Sequence, residues 1–200
     1  MGKLLPFVAA QFTDAFTTAA RWHDVGKAHA AFQKMLTRGD VQRATELWAK
    51  SANPTGHCER RFFRHELASA LAWLQAGPPN APERDLIAYL IGAHHGKVRL
   101  SIRSLPGEEP PLDKPQIRVA RGILEGDSIG PVKFDGVSLS PMTLDLSLME
   151  MGRDASGNPS WLARMLALRA RFGPFRLAYL EMLLRAADES ASQKAEAACV

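Results

Sequence analysis

Four of the chain's six histidines fall where helical spacing turns them inward. His94 follows Leu90 by four residues and Leu86 by eight, and His95 stands in the same relation to Ile91 and Ile87. Both imidazoles therefore extend apolar stripes of one expected helix. His23 extends a stripe of Leu5, Val8, Phe12, Phe16 and Ala19, and Asp24 follows it. His65 shares a face with Ala68 and Ala72, beside a main stripe of Phe63, Leu67, Ala70 and Leu74. Near the C-terminus, Leu177, Leu180 and Leu184 are succeeded by Asp188. A buried carboxylate without a partner costs several kcal/mol, so Asp188 is expected to meet a cation or donors. Taken singly, an inward histidine is ordinarily a hydrogen-bonded core residue. Together, four imidazoles and two carboxylates are the ligand types that hold divalent transition ions, and an aspartate can bridge two of them. Neighbours on a helix diverge by about 100°, so His94 and His95 can share an ion only near a helix end, where Gly96 lets the backbone adjust.

The elements that must position these groups are mostly helical. After the first stripe Gly26 is expected to stop the helix, and further helices are expected near 28–36, 40–51 and 62–76, with Pro54-Thr55-Gly56 as a loop and Gly77-Pro78-Pro79 as a terminator. Asn80 and Glu83 have the spacing of a capping box that opens a helix running to about His95. The stretch 104–114, rich in Pro, Gly and acidic residues, reads as a mobile connection. Val132-Lys133-Phe134 and Val137-Ser138-Leu139 flank Asp135-Gly136, which predicts a small hairpin. Helices over about 159–171 and 174–190, divided at Gly173-Pro174, close the chain, and the segment after Ser192 is expected to fray.

Arg21-Trp22-His23-Asp24-Val25-Gly26-Lys27 resembles the H-D-x-G-K signature of the HD phosphohydrolase superfamily. Phe63-Arg64-His65-Glu66, Ala93-His94-His95-Gly96 and Ala186-Ala187-Asp188 with Ser190-Ala191-Ser192 follow in order, and so do similarities over Ala28–Leu36 and Phe175–Glu181. The set resembles the HD nuclease domain of the CRISPR-associated helicase-nuclease of type I systems, over about 19–103 and 159–192. The resemblance implies an all-α HD-domain bundle, and with the small β-hairpin insertion near 130–140 and the chain length the expectation is a single domain over 1–200. It implies that His23, Asp24 and Asp188 hold one divalent ion, that Asp24 bridges to a second, and that His65, His94 and His95 complete the second site. The ions would be Mn, Ni, Co or Fe, with Mg also possible, and two such ions about 3.5–4 Å apart promote phosphodiester hydrolysis. Asp24 and Lys27 would be the catalytic pair, with Lys27 near the scissile phosphate; an alternative role for Lys27 is interaction with carbonyls at its helix end. Ser192 either orients Asp188 or lies on the surface, and Lys97, Arg99 and Arg103 either track a DNA backbone or form a solvated basic loop. One departure stands out. The family has a further metal-binding histidine on a helix before the H-D pair, and no histidine precedes His23 here, so either the chain starts late or the first site is incomplete.

Composition fits this picture without deciding it. A chain of 200 residues with 46% apolar and 23% charged residues buries roughly 70% of its unfolded surface as one domain. It has no stretch approaching the roughly 18 apolar residues of a membrane span and no secretory leader, so a cytoplasmic location is expected. Two cysteines, Cys58 and Cys199, sit far apart and form no C-x-x-C pair, so neither a disulfide framework nor a thiolate zinc site is indicated. A net charge of +4 permits nucleic-acid binding without demanding it. His29 and His57 read as surface or structural residues, and Trp22, Trp48, Trp73 and Trp161 as core. The expected activity is metal-dependent hydrolysis of single-stranded DNA beside a helicase, with a guide-RNA surveillance complex as partner. The competing readings are a degenerate HD module that binds nucleic acid or a partner without cutting, and a small-nucleotide phosphohydrolase. No Walker-type loop is present, so the chain is not itself an ATP-driven motor.

Overall fold

A computed structural model describes residues 4–37, 47, 58–154 and 156–197. The expected helix over 40–51, together with Trp48, His57 and Cys199, lies outside the described residues. Among them are six α-helices: α1 (Thr13–Trp22), α2 (Ala30–Thr37), α3 (His65–Ala76), α4 (Arg84–Ala93), α5 (Trp161–Phe172) and α6 (Pro174–Ala197). None is long and apolar enough to cross a membrane.

The core forms around α3. Glu66 through Trp73 are all buried, so both of its faces are interior, the His65 face as well as the Leu67 face. Such a helix must be covered on all sides, and it is: by α4, by α1 and by a 3-10 turn at Val25–Ala28. Trp22 and Trp73 meet edge to face at 5.1 Å, which ties α1 to α3. Trp161 is also buried. Each fully buried leucine, such as Leu71, contributes about 1.5–3 kcal/mol. The stripe from Val8 to Ala19 is buried as expected, but it is not one helix. Ala9 is extended (φ −55°, ψ 138°), which separates a 3-10 turn at Leu5–Phe7 from a second at Ala10–Phe12 that leads directly into α1.

Several helix boundaries differ from the sequence reading. Gly26 is not a helix stop but part of the 3-10 turn. The Asn80–Glu83 capping box does not form: α4 starts at Arg84 after Glu83 in the left-handed region (φ 53°), with no side-chain cap. Pro82 disfavours helical geometry at Ala81, and the Glu83 carboxylate instead accepts two hydrogen bonds from Arg171, at 2.6 and 2.9 Å. The division of the last two helices is as expected, with Ser160 capping α5 and Gly173 (φ 79°) preceding Pro174 at the start of α6. Helix α6 continues to Ala197, beyond the point where fraying was expected.

The fold is mainly helical but not purely so. In place of one hairpin the described residues form three antiparallel ladders: β1 (Val119–Ala120) with β2 (Ile123–Leu124), β3 (Ser128–Ile129) with β6 (Met142–Thr143), and β4 (Val132–Phe134) with β5 (Val137–Leu139). The last is the expected hairpin, turning at Asp135 and Gly136 with φ of 42° and 78°. Two-residue strands carry too little alternation to be read from sequence. Pro131 and Pro141 lack the N–H a ladder needs, which separates the inner pair from the outer. The expected mobile connection is anchored to this region: Ser104 Oγ donates to Val119 O at 2.5 Å, and Glu108 accepts from the backbone N–H groups of Leu105 and Gly122.

Candidate metal centre

The H-D pair sits where α1 ends. His23 is the residue that closes α1, where the last carbonyls lack helical partners. Its Nδ1 bonds the Ala20 carbonyl at 2.8 Å, which leaves Nε2 directed at carboxylates: 3.3 Å from Asp188 Oδ1 and 3.5 Å from Asp24 Oδ2. His94 closes α4 in the same way, with Nδ1 on Ile91 O at 2.7 Å. The chain then turns at Gly96 (φ 70°). That turn lets His95 swing beside His94, with ring centroids 4.0 Å apart. His65 opens α3, its Nε2 3.5 Å from Asp24 Oδ1 and its ring 5.1 Å from that of His95.

Gly26 makes this convergence possible. Its N–H donates to Ser69 Oγ at 2.7 Å. A Cβ at Gly26 would strike the His65 carbonyl and lie 2.8 Å from Ser69 N and 2.9 Å from Ala68 Cβ. Only glycine lets the turn after Asp24 press against the first turn of α3, so the spacing of the H-D-x-G-K segment reflects packing as well as chemistry.

Asp24 lies between the two groups of histidines, with Oδ1 toward His65 and Oδ2 toward His23 and Lys27, whose Nζ donates at 2.7 Å. Burial alone would raise its pKa, but His65, His23 and Lys27 hold it well below the usual carboxylate range. For His23, burial is outweighed by the bond to Asp188 and the charge of Asp24, and its pKa rises. Asp188 is held low chiefly by that same bond. His94 behaves oppositely: burial, then the neighbouring imidazoles of His95 and His23, push it down to about 3. Burial and His65 lower His95 as well.

Two sets of ligand atoms lie mutually within 4.8 Å, one from His65, His94 and His95 and the other from His23, Asp24 and His94. His94 thus belongs to both sets, whereas the sequence grouping put it in one. Asp188 reaches the centre through His23, as its place after an apolar stripe required. The donors also pass a test of fit for a cation. Asp24 Oδ1, His65 Nε2 and His94 Nε2 are buried with no hydrogen-bond partner, a costly arrangement unless something else satisfies them.

Other expected residues are placed differently. Lys27 caps no carbonyl through its side chain; it pairs with Asp24. Arg99 donates to Glu181 at 2.8 Å, pinning the loop after His95 to α6, and Tyr89 donates to the same carboxylate. Lys97 and Arg103 are exposed, and Ser192 is half-buried on α6. Of the two readings of His29, surface or structural, the structural one holds: it is buried, 3.2 Å from Asp127. Sequence reasoning passed over Glu66, fully buried and 3.7 Å from His65 Nδ1, and over Ser69. The signal for both was available, because a polar residue within the almost wholly apolar run from Glu66 to Trp73 has to be interior.

A family model described as Cas3, HD domain matches residues 2–125, the segment that carries His23, Asp24, Lys27, His65, His94 and His95. No curated protein and no solved structure matches the chain.

Proposed function

The chain belongs to the Cas3 HD-domain family, the HD nuclease part of type I CRISPR systems, and from that premise we propose that it hydrolyses phosphodiester bonds of single-stranded DNA, using divalent metal, beside a helicase that delivers the strand. The observation that carries the reading is the set of three buried ligand atoms without a hydrogen bond, on Asp24, His65 and His94, drawn from three separate parts of the chain. His65, His94 and His95 would hold one ion, and His23, Asp24 and Asp188, with His94 in reach, a second. Imidazole-rich sites of this kind suit Mn, Ni, Co or Fe better than Mg. Divalent ions in such a centre supply Lewis acidity and a water-derived nucleophile active at neutral pH.

The chain's own residues prepare the site. The Ile91 carbonyl fixes the Nδ1 proton on His94, so that its Nε2 offers a lone pair. The Ala20 carbonyl orients His23 in the same way, and the His23 Nε2 gives up its proton to Asp188 or solvent when it binds metal. His94, held neutral by burial, is available as a ligand without first losing a proton. Asp24 is kept ionised, and Lys27, a compact positive charge on Asp24 Oδ2, is positioned to meet the scissile phosphate. Lys97 and Arg103 would follow the DNA backbone, and the strand would arrive within a guide-RNA surveillance complex, in the cytoplasm. Incubating circular single-stranded DNA, and separately a panel of nucleotides, with Mn²⁺ tests this reading. Metal-dependent nicking of the circle supports it. Hydrolysis of nucleotides alone, or binding without cleavage, overturns it.

A further inference from the structure

A second cluster of charge lies on the other side of the first turn of α3. The β1–β2 turn is made by Arg121 and Gly122, with φ of 52° and 74°. Arginine adopts this left-handed conformation at a cost that asparagine or glycine avoids. The turn presses on the chain just before α3: a Cβ at Gly122 would strike the Phe63 backbone, and Arg64 N donates to Arg121 O at 2.9 Å. The bond from Ser104 to Val119 brings Arg103 to the same strand. Three arginines are thereby gathered next to His65.

Two carboxylates, Glu108 and Glu66, act on Arg121 through space, but neither bonds an arginine side chain of the group among the described residues. Arg121 Nε is buried and lacks an acceptor. Among the described residues, Arg64 and Arg103 make no ion pair or side-chain hydrogen bond. The Glu108 oxygens are engaged by backbone N–H groups, and Glu66 is interior beside His65. Burial, with the charges of Arg103 and Arg64, lowers the pKa of Arg121 against the opposing charges of Glu108 and Glu66, so the arginines outnumber the carboxylates that face them. A guanidinium group is the side chain best shaped for a phosphate, and three close together without acceptors favour an anion.

We infer that Arg64, Arg103 and Arg121 form a seat for a backbone phosphate of the DNA strand, flanking the metal centre on the side of His65. This rests on the nuclease reading and adds to it the path of the strand. The seat positions the strand; it takes no part in bond cleavage.

The test is binding of a fluorescein-labelled oligothymidylate to the protein and to Arg64→Gln, Arg103→Gln and Arg121→Asn, across a range of salt without divalent metal. Asparagine keeps the left-handed turn while removing the charge. Each variant should bind several-fold more weakly, with the slope of log K against log salt shallower by about 0.7. Each should also keep the parent's Mn²⁺-induced rise in melting temperature. Unchanged slopes, or slopes lost only in variants that also lose the Mn²⁺ response, would overturn the seat. The nuclease reading is judged separately by cleavage in the parent. A parent that cuts, with variants of unchanged slope, removes the seat and leaves the nuclease; a parent that neither binds nor cuts removes both.

Discussion

His23 and His94 occupy equivalent positions in two different helices. Each closes its helix, each has Nδ1 on the carbonyl three residues back, and the two rings meet edge to face at 5.1 Å. The orphan carbonyls of a helix C-terminus thus serve as the orienting partners that metal-ligating histidines require. Two helix ends abutting in this way deliver two preset Nε2 atoms to one place.

Because His94 belongs to both sets of ligand residues, His94→Ala should weaken every divalent-ion event, whereas His65→Ala should remove the tighter one and spare the other. The all-imidazole set is expected to bind Mn²⁺ or Ni²⁺ more tightly than the set containing Asp24. Calorimetric titration of both variants checks this. Two equally tight ions, or a tight site indifferent to His65→Ala, would contradict the ligand assignment.

Asp24 touches both groups of histidines. Asp24→Ala should abolish metal-dependent cleavage and the weaker ion's share of the stabilisation by metal, with the far-ultraviolet helical signal intact. Cleavage at the parental rate would exclude a metal role for this residue.

Lys27 bonds only Asp24 through its side chain among the described residues. Lys27→Ala should slow cleavage or weaken substrate binding while leaving metal affinity close to that of the parent. A thermal melt run beside the kinetics discriminates: unchanged kinetics with a lowered melting temperature would assign Lys27 to stability alone.

Gly26→Ala places a methyl group against the His65 carbonyl and Ser69 N. Overpacking of this sort costs about 1–3 kcal/mol, and relief requires the turn to move away from α3. Urea unfolding should show the loss of stability, and Mn²⁺ titration should show a parallel loss of affinity.

Asp127 supplies the pH dependence away from the metal centre. Burial would raise its pKa, but His29, the Leu124 N–H and Arg60 lower it. Its stabilising contribution is therefore complete above the unfolded pKa of about 3.9 and is lost as pH falls through the lower folded value. Asp127→Asn should be less stable than the parent at neutral pH, and the gap should narrow on acidification below about pH 4. A gap independent of pH would show that the carboxylate charge is not what matters.

The sequence by itself determined which residues face inward. Periodicity is a property of the helix alone, so Asp188 could be recognised as a carboxylate in an apolar stripe, and its cation, His23, then stands 3.3 Å away. The Asp135-Gly136 turn was equally legible, because its φ values are a local requirement. What faces what was decided only by tertiary structure. Gly26 looked like a helix stop until α3 lay against it; Arg99 looked like a contact for DNA until α6 brought Glu181 within 2.8 Å. The ladders β1–β2 and β3–β6 are too short to leave a pattern. The sharing of His94 between two sets of ligands, and the meeting of Arg64, Arg103 and Arg121, depend on separations through space between segments distant in the chain, which no local spacing encodes.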